Sequence, residues 1–163
     1  RDRLVSAATR LFRQRGYDGT GLTEILTEAG VPKGSLYHHF ADKEALFEEV
    51  FDRADQVVSS RVRRAAAAAA EKGEDAWSAF LAGWDAALDT AVDAPLQRIR
   101  VVDAPAVLGW QKWQERNARY TLANIEAGLV SLLEQGVLAP QPISPLAVRQ
   151  RLVTCTVPAG CSW

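Results

Sequence analysis

Apolar residues recur at intervals of three and four along almost the whole of this 163-residue chain, and no stretch alternates convincingly enough to be a strand. That period stacks side chains on one face of a helix, so the sequence is committed to an all-α fold punctuated by glycine and proline. Leu4, Ala7, Ala8, Leu11 and Phe12 form a first stripe that Gly16 stops. Leu22, Ile25, Leu26 and Ala29 form a second, on a helix expected over about residues 23–29. Gly30 then supplies a left-handed turn residue and Val31 an apolar plug between helices. Pro32 suits the first turn of a third helix, where its missing N–H costs nothing, and Leu36 and Phe40 turn inward.

Asp42 reads as the N-cap of a fourth helix reaching about Lys72, which at 1.5 Å per residue is roughly 45 Å long. The six alanines at 65–70 read simply as strong helix formers. Further helices are expected over about 74–92, over a short segment bracketed by Pro95 and Pro105, and over about 106–135, ended by Gly136. Ser144 and Pro145 then open another.

The third helix concentrates the chemistry. It carries Lys33, Ser35, Tyr37, His38 and His39, both histidines of the chain, with no carboxylate before Asp42. A short helix rich in hydrogen-bonding groups and free of negative charge suits insertion into the major groove of DNA, and the helix before it completes a helix-turn-helix. Residues 1–47 hold seven Lys/Arg and six Asp/Glu, so an electrostatic footprint must come from placement rather than from net charge.

Enzyme chemistry fares poorly. With the histidines adjacent on the proposed recognition helix, none is left for a Ser-His-Asp or Cys-His site, and no phosphate loop or metal-spaced cluster is present. No catalytic residue, metal site or cofactor is therefore expected. Cys155 and Cys161 do not read as a disulfide framework and fit a reducing compartment. No apolar run reaches about 18 residues, so the expectation is a cytoplasmic protein without a membrane partner.

Residues 29–40, Ala-Gly-Val-Pro-Lys-Gly-Ser-Leu-Tyr-His-His-Phe, followed by Asp42-Lys43-Glu44-Ala45-Leu46, resemble the DNA-binding domain of the TetR family of bacterial transcriptional regulators. The resemblance implies a helix-turn-helix domain over 1–47 and a helical ligand-binding and dimerisation domain over 48–163. It implies that Ser35, Tyr37 and His38 reach base edges or phosphates, that Lys33 and Gly34 lie against the DNA backbone, and that Lys43 and Thr20 contact phosphates. His39 is left to packing or capping. It further implies a small apolar or aromatic effector enclosed by the middle helices, with Trp77, Phe80, Trp84, Trp110, Trp113 and Tyr120 as lining. Asp85, Asp103, Gln111 and Asn117 are candidate polar contacts.

The implied protein is a ligand-responsive repressor that binds palindromic operator DNA as a homodimer. The sequence departs from the family after Leu152, where Pro158 and Gly160 oppose helix continuation. The expectation there is a missing last helix and apolar residues, including Leu129, Leu132 and Leu133, left without full cover. The alternative is thus a shortened, poorly dimerising regulator without tight DNA binding.

Overall fold

The computed structural model describes residues 1–139, in which every regular element is a helix. The head is built from α1 (Asp2–Arg15), α2 (Leu22–Ala29), α3 (Lys33–His39) and the N-terminal half of α4 (Lys43–Glu71). Gly16, at φ 76°, ends α1, and Gly30, at φ 62° and ψ 41°, ends α2 in the left-handed conformation that the turn into α3 requires. Asp42 caps α4 by accepting the Ala45 N–H at 2.8 Å. The Glu24 carboxylate accepts the Gly21 N–H at 3.0 Å, which satisfies an orphan donor at the start of α2 and holds that carboxyl below its ordinary pKa.

Leu4, Val5 and Phe12 of α1, Ile25 of α2, Leu36 of α3 and Phe47, Val50 and Phe51 of α4 are sealed from solvent in one core. Phe12, Tyr17 and Phe47 meet within it, their ring centroids 5.1–5.7 Å apart. α4 runs unbroken through residue 47, 29 residues in all, so its two halves serve the head and the body in turn.

In the body α4 packs against α5 (Ala76–Ala91) and α8 (Trp110–Glu134). Between α5 and α8 the chain forms α6 (Ala94–Gln97), a π-helical turn over Arg98–Asp103 and α7 (Ala104–Leu108) without a break. Here the structure corrects the sequence reading. Pro105 does not bracket the segment; it sits in the first turn of α7, and the chain breaks instead at Gly109, at φ 78°. The preceding wide turn, in which the Ala104 N–H bonds to the Ile99 carbonyl five residues back, lets proline follow without ending the helix. Leu96, Ile99, Ala104 and Leu108 of this segment extend the head core toward α8.

Leu132 is fully buried and Leu129 and Leu133 are half-buried, so the expectation that Leu132 is left uncovered does not hold. The helix expected at Ser144 and Pro145, the two cysteines and the segment around Pro158 and Gly160 lie outside the described residues.

Candidate nucleic-acid interface and ligand cavity

α3 is anchored by Leu36 beneath it and by Phe40 at its end, which leaves one face to solvent. On that face Lys33, Gly34, Tyr37 and His38 are exposed and Ser35 is partly so, with Tyr37 retaining 54% of its accessible surface. A large aromatic left that open on a seven-residue helix invites an outside partner. Gly34 is equally telling. A Cβ added there would meet nothing within 4 Å among the described residues, and its φ is unexceptional, so no contact among them demands glycine. His39 is exposed as well, its ring 4.9 Å from that of His38 and 6.5 Å from Phe40, and local desolvation holds its pKa below the ordinary value.

Several carboxylates of the head and of α4 are engaged by arginines. Glu28 pairs with Arg10 at 2.6 Å, Glu24 with Arg15 at 2.7 Å, Glu49 with Arg1 at 2.5 Å and Asp2 with Arg53 at 2.6 Å. Lys33 has no carboxylate within ion-pair distance among the described residues. Lys43, in the first turn of α4, rests its Nζ 4.0 Å from the Tyr17 ring centroid, a cation–π contact.

Thr20 corrects the sequence reading. Only 1% exposed, it spends its hydroxyl on the Gly16 carbonyl at 2.8 Å, so its side chain braces the loop between α1 and α2 and is not presented to a phosphate.

Behind the head, a cavity of about 350 Å³ opens between α4, α5 and α8. That lies at the small end of the ~300–1,000 Å³ typical of small-molecule sites. Of the six aromatic residues expected to line it, Phe80 and Trp84 do. The other four are placed elsewhere. Trp77 stacks outside on Phe80 at 5.8 Å, and Trp110 lies exposed against Trp113 at 4.8 Å. Trp113 packs on the main core and donates its Nε1–H to the Arg100 carbonyl at 2.7 Å, while the Tyr120 hydroxyl accepts from Gln56 at 3.2 Å.

The cavity exists because its walls are small. Ala66, Ala70, Ala79, Gly83, Ala127 and Gly128 are among its lining residues, so part of the alanine run at 65–70 makes room rather than merely favouring helix. Gly128 is required by contact: a Cβ there would sit 2.6 Å from the Phe80 ring.

The candidate polar residues mostly join other structures. Asp103 accepts the Tyr17 N–H at 2.8 Å, Asp85 is exposed, and Gln111 donates to Glu115 at 3.2 Å on the α8 surface. Asn117 accepts from Arg100 at 3.5 Å and from Thr121 at 3.4 Å. These contacts belong to a polar seam joining head and body. The Arg98 guanidinium donates to the Arg15 carbonyl at 3.3 Å, and Arg100 pairs with the buried Asp55 of α4. Arg116 bridges Asp52 at 2.5 Å and Glu48 at 2.7 Å, and Lys112 reaches Glu48 at 2.5 Å. Burial pushes the Asp55 carboxyl up to about 6 despite Arg100, consistent with its Oδ2 having no partner among the described residues. Sequence patterning gave no sign of this seam, because its members are scattered charges on helix faces that look solvated.

Comparison with known proteins follows the same division. Residues 4–50 match the model for bacterial regulatory proteins of the tetR family, and residues 77–153 match the tetracyclin repressor-like C-terminal domain. The HTH-type transcriptional regulator LmrA of Bacillus subtilis (strain 168) is 46% identical over 63 residues, which are 38% of this chain and 34% of that protein. The chain thus spans about a third of the length of that relative. The transposon Tn10 TetC protein of Escherichia coli is 24% identical over 135 residues, 83% of this chain and 66% of that one. The crystal structure of a TetR-family transcriptional regulator from Pectobacterium atrosepticum superposes with a TM-score of 0.72 at 29% identity, covering 93% of this chain and 74% of its own. No helix among the described residues is long and apolar enough to cross a membrane.

Proposed function

This chain belongs to the tetR family of bacterial regulatory proteins and is a helix-turn-helix transcriptional regulator, and from that premise we propose that it is a cytoplasmic repressor released from its operator by a small apolar effector. The observation that carries the reading is the position of α4: its first half builds the head core and its second half walls the cavity. In this reading residues 1–47 read DNA and residues 48–163 respond to ligand and pair with a second copy. Tyr37, His38 and Ser35 address base edges, while Lys33, Gly34 and Lys43 lie along the phosphates and fix register. A homodimer would set two such heads on half-sites about 34–36 Å apart, matching a palindrome.

The mechanism follows from rigid connections. An effector filling the space between α4, α5 and α8 shifts or tilts α4, a lever about 43 Å long at 1.5 Å per residue. The motion is passed to the head through the shared core and through the Asp103–Tyr17 and Arg98–Arg15 hydrogen bonds. An effector needs a preference of roughly 1–3 kcal/mol for the non-binding arrangement to release DNA 5- to 150-fold.

The test is titration of the protein onto DNA selected from a random pool, with and without hydrophobic effectors that alter Trp84 fluorescence. The reading requires that a cavity ligand lower DNA affinity. A ligand that fills the cavity and leaves DNA affinity unchanged refutes the coupling.

A further inference from the structure

The cavity is apolar over most of its wall but not electrically neutral. Arg63, at its edge, carries a guanidinium whose Nη1 donates to Ser59 Oγ at 2.9 Å, and Ser59 Oγ in turn donates to Asn124 Oδ1 at 3.0 Å. Ser59 is 2% exposed, so this short chain of hydrogen bonds is fixed in the packed contact between α4 and α8. Among the described residues no carboxylate lies within ion-pair distance of Arg63, as is also true of arginines 3, 61, 64, 98 and 119; what sets Arg63 apart is that it lines the cavity. Its remaining N–H donors, and the amide N–H pair of Asn124, stand beside the cavity with no acceptor bonded to them among the described residues. Glu74, the one carboxylate in the lining, lies past the end of α4, more than two helical turns beyond Arg63.

We infer that the effector is an amphipathic anion, with a carboxylate or like head group held by Arg63 and Asn124 and an apolar body lying along Ala66, Phe80, Gly83 and Gly128. This rests on the reading of the cavity as the effector site. Guanidinium and amide donors match the two oxygens of a carboxylate, and charge-assisted hydrogen bonds of this kind are the stronger class. The small residues accept the body, and the Phe80 and Trp84 rings supply its aromatic contacts. Ser59, to which Arg63 and Asn124 are tied, lies one turn of α4 from Asp55 and the seam that ties body to head, with Arg63 a further turn along. A head group bound there draws on the stretch of helix that must move. Because Arg63 is exposed at the edge, the charge contributes less than it would if buried, and about a tenfold preference is the expected scale.

Isothermal titration of octanoate, 1-octanol and octylamine, which share one chain and differ in head group, tests the assignment. Wild-type protein should bind octanoate about tenfold tighter than 1-octanol, with octylamine weakest. Arg63→Gln should lose that advantage while leaving 1-octanol affinity unchanged, and Ala66→Leu, which fills the cavity, should weaken octanoate and 1-octanol together. Equal affinity for octanoate and 1-octanol, tighter octylamine, or full octanoate affinity in Arg63→Gln overturns the anionic class. If Ala66→Leu still blocks the probes in that case, the cavity stands as the effector site and only the head group falls. If no probe binds, or none responds to Ala66→Leu, the cavity reading falls as well.

Discussion

Replacing Gly34 by alanine separates what the fold needs from what the DNA face needs. The residue is exposed on α3, its φ is unexceptional, and a Cβ there would touch nothing within 4 Å. Inside the chain the methyl group therefore brings no clash, only the better helix propensity of alanine, worth roughly 0.5–1 kcal/mol in a helix interior. Gly34 is the second residue of α3, where the backbone is less constrained, so about 0.5 kcal/mol is the reasonable share. For a chain of this size that raises the melting temperature by roughly 1–2 °C. At a surface where the DNA backbone approaches closely, the same methyl takes the space of a phosphate or sugar. Loss of about tenfold or more in affinity, roughly 1.4 kcal/mol, is then expected. Differential scanning calorimetry and fluorescence anisotropy on the same preparation read both quantities. A variant that is more stable and binds DNA as well as the wild type would refute the close approach at Gly34. One that is less stable would show an internal role for the glycine that the geometry does not contain.

The remaining predictions address other parts of the molecule. Lys43→Ala should lower the slope of log affinity against log salt by about 0.9, the loss of one phosphate contact, and an unchanged slope in a salt titration would remove that contact. Thr20→Val deletes a buried hydroxyl bonded to Gly16 and should destabilise by about 1 kcal/mol in urea unfolding while leaving the salt slope unaltered; a slope reduced as in Lys43→Ala would restore the phosphate role. For Asp55 the folded carboxyl titrates near 6, above its ordinary value of 3.8, so stability present below about pH 4 is lost as pH rises through 6. The loss is about 2–3 kcal/mol, and Asp55→Asn should not show it; denaturation of both proteins at pH 4 and 7.5 checks this, and a wild type that gains on the variant as pH rises would show that Arg100 outweighs burial. Gly128→Ala should push the Phe80 ring from its place at a cost of about 1–3 kcal/mol and alter ligand affinity, which calorimetry and ligand titration read together.

The head was legible because its signals are local. Gly30, Val31 and Pro32 must make a tight turn between two short amphipathic helices, and the apolar stripes of α1, α2 and α3 can bury themselves only against one another and α4. What failed to show in the sequence depends on tertiary placement. Thr20 reads as a polar loop residue, and only the fold brings its hydroxyl to the Gly16 carbonyl. Aromatic residues were expected to mark the cavity, but a cavity is marked as much by missing bulk, and the alanines and glycines of three helices meet only after packing. Trp113 went instead to the core, where its indole N–H found a carbonyl, and Trp110 to the surface. Pro105 looked like a helix boundary because a regular α-helix would break there; the π-helical turn before it absorbs the conflict.

Sequence-specific recognition by the exposed face of α3 is tested most directly by selecting DNA from a random duplex pool with the wild-type protein and with a Tyr37→Ala, His38→Ala double variant. Both side chains are exposed, so the variant should keep its helical circular dichroism and melting temperature. The wild type should enrich one sequence, an inverted repeat if it acts as a dimer, and the variant should enrich nothing while retaining weak, salt-sensitive binding. Enrichment of the same sequence at the same affinity by the folded variant would contradict recognition through α3.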